Sequence, residues 1–481
     1  MSAKRSVLAK VWGGLGLMML GAGVAHAVDP FHTQRAVPTN PASALVAHMS
    51  CTFGVPANPL GLQEVIERAL CANPDTRNAW TIIEQRAAAV GVSKAAYLPT
   101  LSATGQWVHE NTLTDVRDHS SLSSDYSTVV HSEKLSLGWV LYDFGGRGAT
   151  LANAKALLDA AQANESAVLQ EVFADTAKTY YAAQAAHEQL RTDAAIVADA
   201  QNSFTAAQRR VVNGAAPNTE VYQAQTAYAQ AQITQTRDRG QALAAEGALA
   251  DAIALAPDTP LVLDTPIEPE HPEASFTGAV AALMTQAEQT HPAILAAEKE
   301  LQAAKAGVVQ AKAQGRPTIK LVGEYSRNNE PVQLGLGFPH YPATGHDGYV
   351  GIQVSIPIFS GFATTYQARQ AEAQVDQQSS ALDKAKRQVA LQVWTSYQTL
   401  QADTQNLTAS AQLQAVATQA WESAQRRYRS GAGTLLELLD TQRSLAQARQ
   451  QRLEASIAWR YDRLALASAL GRLGLGDVGD H

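Results

Sequence analysis

The chain has little of what a thick globular core is built from. Aromatic residues make up 6% of its 481 positions. Beyond residue 27 no stretch approaches the roughly 18 unbroken apolar residues that a membrane-crossing helix needs, which argues against a helical span. Cysteine is nearly absent. Cys51 and Cys71 are the whole complement, which excludes a disulfide-dense scaffold and leaves either one bridge or two thiols. An even count in an exported chain favours the bridge. Basic charge is also short, which argues against a nucleic-acid partner. Enzyme signatures break off: Asp143-Phe144-Gly145 has no phosphate loop beside it, and His187-Glu188 meets Arg191 where a zinc protease needs its second His. The histidines at 109, 119 and 131 read as solvated loop residues. No metal or cofactor is expected.

The first 27 residues read as an export signal. Lys4, Arg5 and Lys10 precede an apolar stretch, and Ala25-His26-Ala27 is a small-x-small cleavage site, with the cut expected after Ala27. No Cys follows it, so a lipid anchor is not expected. The mature chain then carries 34 Lys+Arg against 44 Asp+Glu, a net charge of −10.

The chain repeats itself. Asn73-Pro74 returns as His291-Pro292 and Leu98-Pro99-Thr100 as Arg316-Pro317-Thr318, each 218 residues on. Arg209-Arg210-Val211 returns as Arg426-Arg427-Tyr428, and Gly214, Glu220 and Gln225 return as Gly431, Glu437 and Gln442, each 217 residues on. So long a period is a duplicated domain and not a solenoid unit. The expected order is an extended arm (28–60), a first repeat (61–256), a proline-rich linker (257–275), a second repeat (276–471) and a short tail (472–481).

Each repeat mixes two periodicities. Val350, Ile352, Val354, Ile356 and Ile358 alternate with polar or small residues, as do Leu135, Leu137, Trp139 and Leu141, which is the half-buried strand pattern. One β-hairpin is therefore expected at about 100–142 and another at about 318–359, with long polar loops at 113–130 and 328–348. The stretches 149–213 and 362–430 contain neither proline nor glycine, and each predicts a helix roughly 100 Å long. Leu190, Val197, Phe204 and Val211 recur every seven residues, and Leu407, Trp421 and Tyr428 keep that register, implying coiled-coil-like packing. Shorter partner helices are expected at 219–255 and 434–470.

Four strands cannot close a barrel, because membrane barrels need at least about eight. Several copies must therefore pool their hairpins, and the sequence lacks the bulk to fill a wide ring of helices. Together with Leu62-x-x-Val65-x-x-x-Ala69-Leu70-x-x-Asn73-Pro74, Tyr142-Asp143-Phe144-Gly145-Gly146 and Tyr428-x-x-Gly431-x-x-Thr434-x-x-Glu437-x-x-Asp440, the duplication resembles the TolC family of outer-membrane efflux and secretion channels. The resemblance covers nearly the whole mature chain. It implies a mainly α homotrimer with four strands per chain. These would form a twelve-stranded β-barrel in outer-membrane lipid, continued by a periplasmic α-helical barrel. It also implies docking to a periplasmic adaptor and an inner-membrane transporter. The paired cysteines and missing lipid anchor resemble the type I protein-secretion branch, which implies an ABC transporter and an exported protein cargo of the RTX-toxin kind. Rival readings are a similar channel for small toxic molecules and a soluble periplasmic coiled-coil adaptor.

The resemblance also assigns a working end. Tip turns fall at Gly214 to Pro217 and at Gly431 to Gly433. Glu437 and Asp440 match an acidic ring at the periplasmic entrance, and Tyr428 and Glu220 match a latch between the turns. A basic residue usual in the second turn is Gly433 here, so its salt bridge to Glu220 cannot form in the usual way; the alternatives are a different gating, a tip held less tightly shut, or Arg429 or Arg427 in its place. Read from the residues alone, Thr434-x-x-Glu437 is a capping box and Tyr428 the last member of a heptad seam.

Overall fold

The computed structural model describes residues 29–43, 45, 51–264, 280–335 and 337–474. The export segment with its cut after Ala27, the linker from 265 to 275 and the tail from 475 lie outside these residues.

The two repeats have matching helices. In the first, α1 (Leu62–Ala72) and α2 (Pro74–Ala95) precede strands β1 (Thr100–Thr114) and β2 (Ser124–Tyr142), then α3 (Gly146–Val212) and α4 (Asn218–Ala252). In the second, α5 (Val280–Thr290) and α6 (Pro292–Ala313) precede β3 (Thr318–Asn328), a small hairpin of β4 (Val332–Gln333) and β5 (His340–Tyr341), and β6 (Gly345–Ser355). Then follow α7 (Ala363–Arg429) and α8 (Leu435–Ala469). Both long helices have 67 residues and both partners 35.

Local chemistry explains the shared boundaries. Pro74 and Pro292 open α2 and α6, where a missing N–H costs nothing. The residue before each supplies the cap: Asn73 Oδ1 accepts from the Asp75 amide at 2.7 Å, and His291 Nδ1 accepts from the Ala293 amide at 3.2 Å. Burial holds the His291 pKa below its ordinary value, which keeps that nitrogen an acceptor.

The chain divides into two units, passing between them within α2, α3, α6 and α7. The first holds the sheet, an antiparallel array in the order β1-β2-β3-β6. Its register separates two faces. Leu101, Leu137, Gly323 and Val350 lie opposite one another, as do Ala103, Leu135 and Tyr325, and then Trp139, Leu321 and Ile352. On the other face Ser102, Ser136, Glu324 and Tyr349 align, and Lys134 pairs with Glu324 at 2.7 Å. The apolar face is bare: Leu101, Val350 and Ile352 are each about two-thirds exposed or more. Where β2 gives way to α3, Asp143 Oδ2 accepts from the Arg147 amide at 2.6 Å. The Arg147 side chain donates to Val140 O at 2.7 Å and lies over the Tyr97 ring.

Two expectations about this sheet are corrected. The first loop is short, because β2 begins at Ser124 and Tyr126, Val129 and Val130 pair with Thr112, His109 and Val108. Residues 124–130 are therefore strand, since Ser and Thr between apolar residues still fit a pleated surface. The fourth strand stops at Ser355 and not near 359, because Pro357 lacks the N–H that a ladder requires.

The second unit is helical. Leu60, Val65, Ile66 and Leu70 pack with Leu169, Phe173, Tyr180 and Leu249, while Val393, Leu400, Leu407, Trp459 and Leu466 form a core for the second repeat. The arm is fastened and not loose. Leu60 bridges to Leu263, Trp80 Nε1 donates to Pro38 O at 2.9 Å, and Arg68 donates to Gly54 O at 2.9 Å. Cys51 and Cys71 are disulfide-bonded, with Cα atoms 5.5 Å apart.

Neither cysteine should react with a thiol label until reductant is added. Replacing both by Ser should cost about 2–3 kcal/mol of stability, read as a lower unfolding midpoint; labelling without reductant would refute the bridge.

Candidate functional site at the helix turns

The two turns joining the long helices are built alike. Gly214 has φ +69° and Gly431 φ +77°, the left-handed conformation that glycine adopts without penalty. Ala215 donates to Arg210 O at 2.8 Å and Gly214 to Val211 O at 2.9 Å. Ala432 donates to Arg427 O at 2.9 Å and Gly431 to Tyr428 O at 3.2 Å. Each is a Schellman motif that satisfies the last helix carbonyls. Pro217 then precedes α4 and Thr434 precedes α8, where the Thr434 hydroxyl accepts from the Glu437 amide at 3.2 Å.

The structure brings Tyr428 and Glu220 together. The Tyr428 hydroxyl donates to Glu220 Oε2 at 3.0 Å, and the ring is 1% exposed among Ala207, Ala224, Leu435, Leu438 and Leu439. The Arg210 guanidinium covers that ring at 4.6 Å. Burial first, then Glu220, pushes the phenol pKa up to about 12. The raised value means the proton is held more tightly in the folded chain. Its contribution is complete below the ordinary tyrosine pKa and is lost only as pH rises through about 12. The contact therefore persists across the neutral range.

Glu437 and Asp440 have different surroundings. The Glu437 carboxylate accepts from Arg427 Nη1 at 2.8 Å, so the expected substitute for the missing basic residue is engaged elsewhere and does not reach Glu220. Only half of the capping box forms around the carboxylate's own helix, because Arg427 takes the charge that would reach back. Asp440 is exposed on the next turn of α8. A side chain at Gly433 would be crowded: a Cβ there would sit 3.0 Å from both Arg427 Cβ and the Tyr428 amide nitrogen, so the turn would have to give by a few tenths of an ångström. Gly433 also donates to Arg427 O at 3.0 Å, which closes the turn tightly. Among the described residues no cluster of three or more His, Cys, Asp or Glu side chains could hold a metal ion.

Sequence reasoning missed the residues in the closest-packed seam of the long helices. Asp193, Ala200 and Ala207 are buried at intervals of seven, and Ser410, Ala417 and Ala424 repeat this in α7. The seam of larger residues through Leu190 and Val197 is only half-buried. The available signal was a small residue every seven positions, Ala200 and Ala207 in α3 and Ser410, Ala417 and Ala424 in α7.

A sheet with one lipid-compatible face and one polar face, on a chain of paired helices ending in acidic turns, defines a subunit of an outer-membrane channel. The chain belongs to the outer membrane efflux protein family, whose pattern it matches over 65–255 and 283–472. It is 32% identical to Protein CyaE of Bordetella pertussis over 98% of this chain and 96% of that one. It is 27% identical to the pyoverdine export outer membrane protein OpmQ of Pseudomonas putida, over 85% of each. A crystal structure of CusC shares the fold with a TM-score of 0.74 and 20% identity, over 90% of this chain and 97% of that one. The protein is of TolC-like fold and resides in the outer membrane, extending into the periplasm.

Replacing Tyr428 by Phe should remove a charge-assisted hydrogen bond worth roughly 1.5–3 kcal/mol, seen as faster hydrogen exchange at the 213–217 and 430–434 turns. Gly433→Arg should lower stability by about 1–3 kcal/mol through overpacking and should not tighten the tip; a stabilised tip would contradict the steric account.

Proposed function

We propose that three copies of this chain form one passive, non-enzymatic channel that passes an exported protein across the periplasm and outer membrane. The observation that carries the reading is the four-stranded sheet. Its apolar face is uncovered, and its outer strands β1 and β6 have no partner on their far sides among the described residues. Hydrocarbon offers nothing to an unpaired strand edge. Joining β1 of one copy to β6 of the next satisfies every edge, and three copies close at twelve strands. The polar face, with Lys134, Glu324 and Tyr349, then lines the lumen.

The energy for transport comes from an inner-membrane transporter reached through a periplasmic adaptor. A type I system with an ABC transporter and an RTX-type toxin as cargo is the preferred reading. It is supported by the bonded cysteines, by Val28 and not Cys directly after Ala27, and by the near full-length likeness to CyaE. Efflux of small molecules is the alternative. It is supported by the likeness to a pyoverdine exporter and to a toluene efflux pump component. Deleting the gene distinguishes them: loss of a secreted protein favours the first, and sensitivity to toxic small molecules without that loss favours the second.

The entrance ring consists of Glu437 and Asp440 from each copy. Because Arg427 offsets Glu437, Asp440 carries most of the ring's net charge. In a planar bilayer the purified protein should conduct with cation preference. Asp440→Asn should weaken that preference more than Glu437→Gln, and unchanged selectivity in the double variant would rule out the ring.

A further inference from the structure

We propose that each long helix pair is fastened by a proton held between two facing aspartates, Asp193 with Asp238 across α3 and α4, and Asp403 with Asp462 across α7 and α8. Each pair is tight when the proton is bound and loosens when it is lost.

Placement comes first. Asp193 lies twenty residues before Asn213, and Asp238 lies twenty after Asn218. Asp403 lies twenty-seven before Ser430, and Asp462 twenty-seven after Leu435. Equal distances along antiparallel arms put each pair face to face, roughly 30 and 40 Å from the turns at 1.5 Å per residue. The two pairs are not repeat equivalents. The counterparts of Asp193 and Asp238 are Ser410 and Ala455, and those of Asp403 and Asp462 are Ala186 and Ala245. They sit one heptad apart in the same seam, so each repeat carries its own pair, at a different height.

Contacts come second. Asp193 is 2% exposed and Asp238 6%, and the two carboxyls are within hydrogen-bonding reach of each other. Gln189 donates to Asp193 Oδ1 at 2.9 Å, while Asp193 Oδ2 is buried with no donor. Arg237 binds Asp238 Oδ1 at 2.8 Å and offsets one of the two charges. The pair borders a cleft of about 800 Å³ between α3, α4 and α8, to which Arg443 and Lys178 also contribute. Around the cleft Lys178, Arg237 and Arg443 face Asp193, Asp238 and Glu454, so the proton is called for not by net charge but by an acceptor oxygen facing an acceptor oxygen with no donor between them.

In the second pair Asp403 and Asp462 are half-buried and not sealed from solvent, and they face each other at equal distances from their turn, close enough for Asp403 to act on Asp462. Asn406 donates to Asp403 Oδ1 at 3.4 Å. Beside them on α8 lie Tyr461 and Arg463. Asp175 of α3 acts on Tyr461, and Lys178 lies 5.8 Å from its ring centre.

The direction of titration agrees with the geometry. Burial, then Asp403, pushes the Asp462 carboxyl up to about 7. Burial raises Asp193, the Gln189 hydrogen bond opposes it, and Asp238 raises it further. A carboxyl raised in the folded state contributes stability that is complete below its unfolded pKa. That contribution is lost as pH rises through the folded value, here near 7 for Asp462.

The test uses the full-length protein in detergent. Infrared spectra across neutral pH should show a protonated-carboxyl band that fades as pH rises. Asp193→Asn combined with Asp403→Asn should remove most of it, because Asn keeps the shape and cannot ionise. Glu165, which burial also pushes up to about 7, contributes to the same band, so the difference between wild type and variant is the readout. Hydrogen exchange in the four long helices, corrected for intrinsic rates, should accelerate on the alkaline side in wild type and lose that pH dependence in the variant. The proposal is overturned by an unchanged band, by equal pH dependence in both proteins, or by a wild-type band that appears only after a chelator strips a metal ion.

Discussion

The unpaired backbone at the two sides of the sheet constrains everything else. In water, a bare strand edge bonds to solvent; in hydrocarbon it has no such partner. β1 and β6 present such edges while Leu101, Leu135, Val350, Ile352 and Val354 present an apolar face. One chain can satisfy the face by entering lipid, but it cannot satisfy the edges by itself. Assembly is therefore a condition of membrane residence. Within the chain the long helices pack closely because alanine fills their tightest contacts.

Much of this was legible in the residues. The 217- and 218-residue offsets signalled duplication, and the long run without proline or glycine in each half signalled the helices. Alternation at Val350 to Val354 signalled strands. Side-chain choices were harder to read. Tyr126 and Val130 lie among serines and threonines, so composition suggested a loop although each residue there has a partner in β1. Arg427 was a reasonable substitute for a basic residue at Gly433, but geometry turns it towards Glu437. Nothing in the residues around it singles out Asp193 on a polar helix. Its burial depends on which heptad seam packs tightest, and that is decided by the neighbouring helix.

The tip shows how one small residue redistributes charge. With glycine at 433 the turn closes against the Arg427 carbonyl, and that closure sets Arg427 beside the start of α8. Glu437 is then shared between its helix terminus and a guanidinium, leaving Asp440 as the exposed acid. The Tyr428–Glu220 contact needs no cation on the carboxylate side, because Arg210 supplies its charge through the ring face. The tip is thus held by a buried phenol where a salt bridge would have been weakened by solvent and salt.

The duplication is faithful in backbone and broken in detail. Tyr428 has its counterpart in Val211, which has no hydroxyl, while Glu220 has its counterpart in Glu437, which is paired elsewhere. The two turns are thus alike in backbone and unlike in their fastening. Only the turn at 430–434 is clasped by a buried phenol, so the turn at 213–217 has no matching clasp of its own to break if the pair separates.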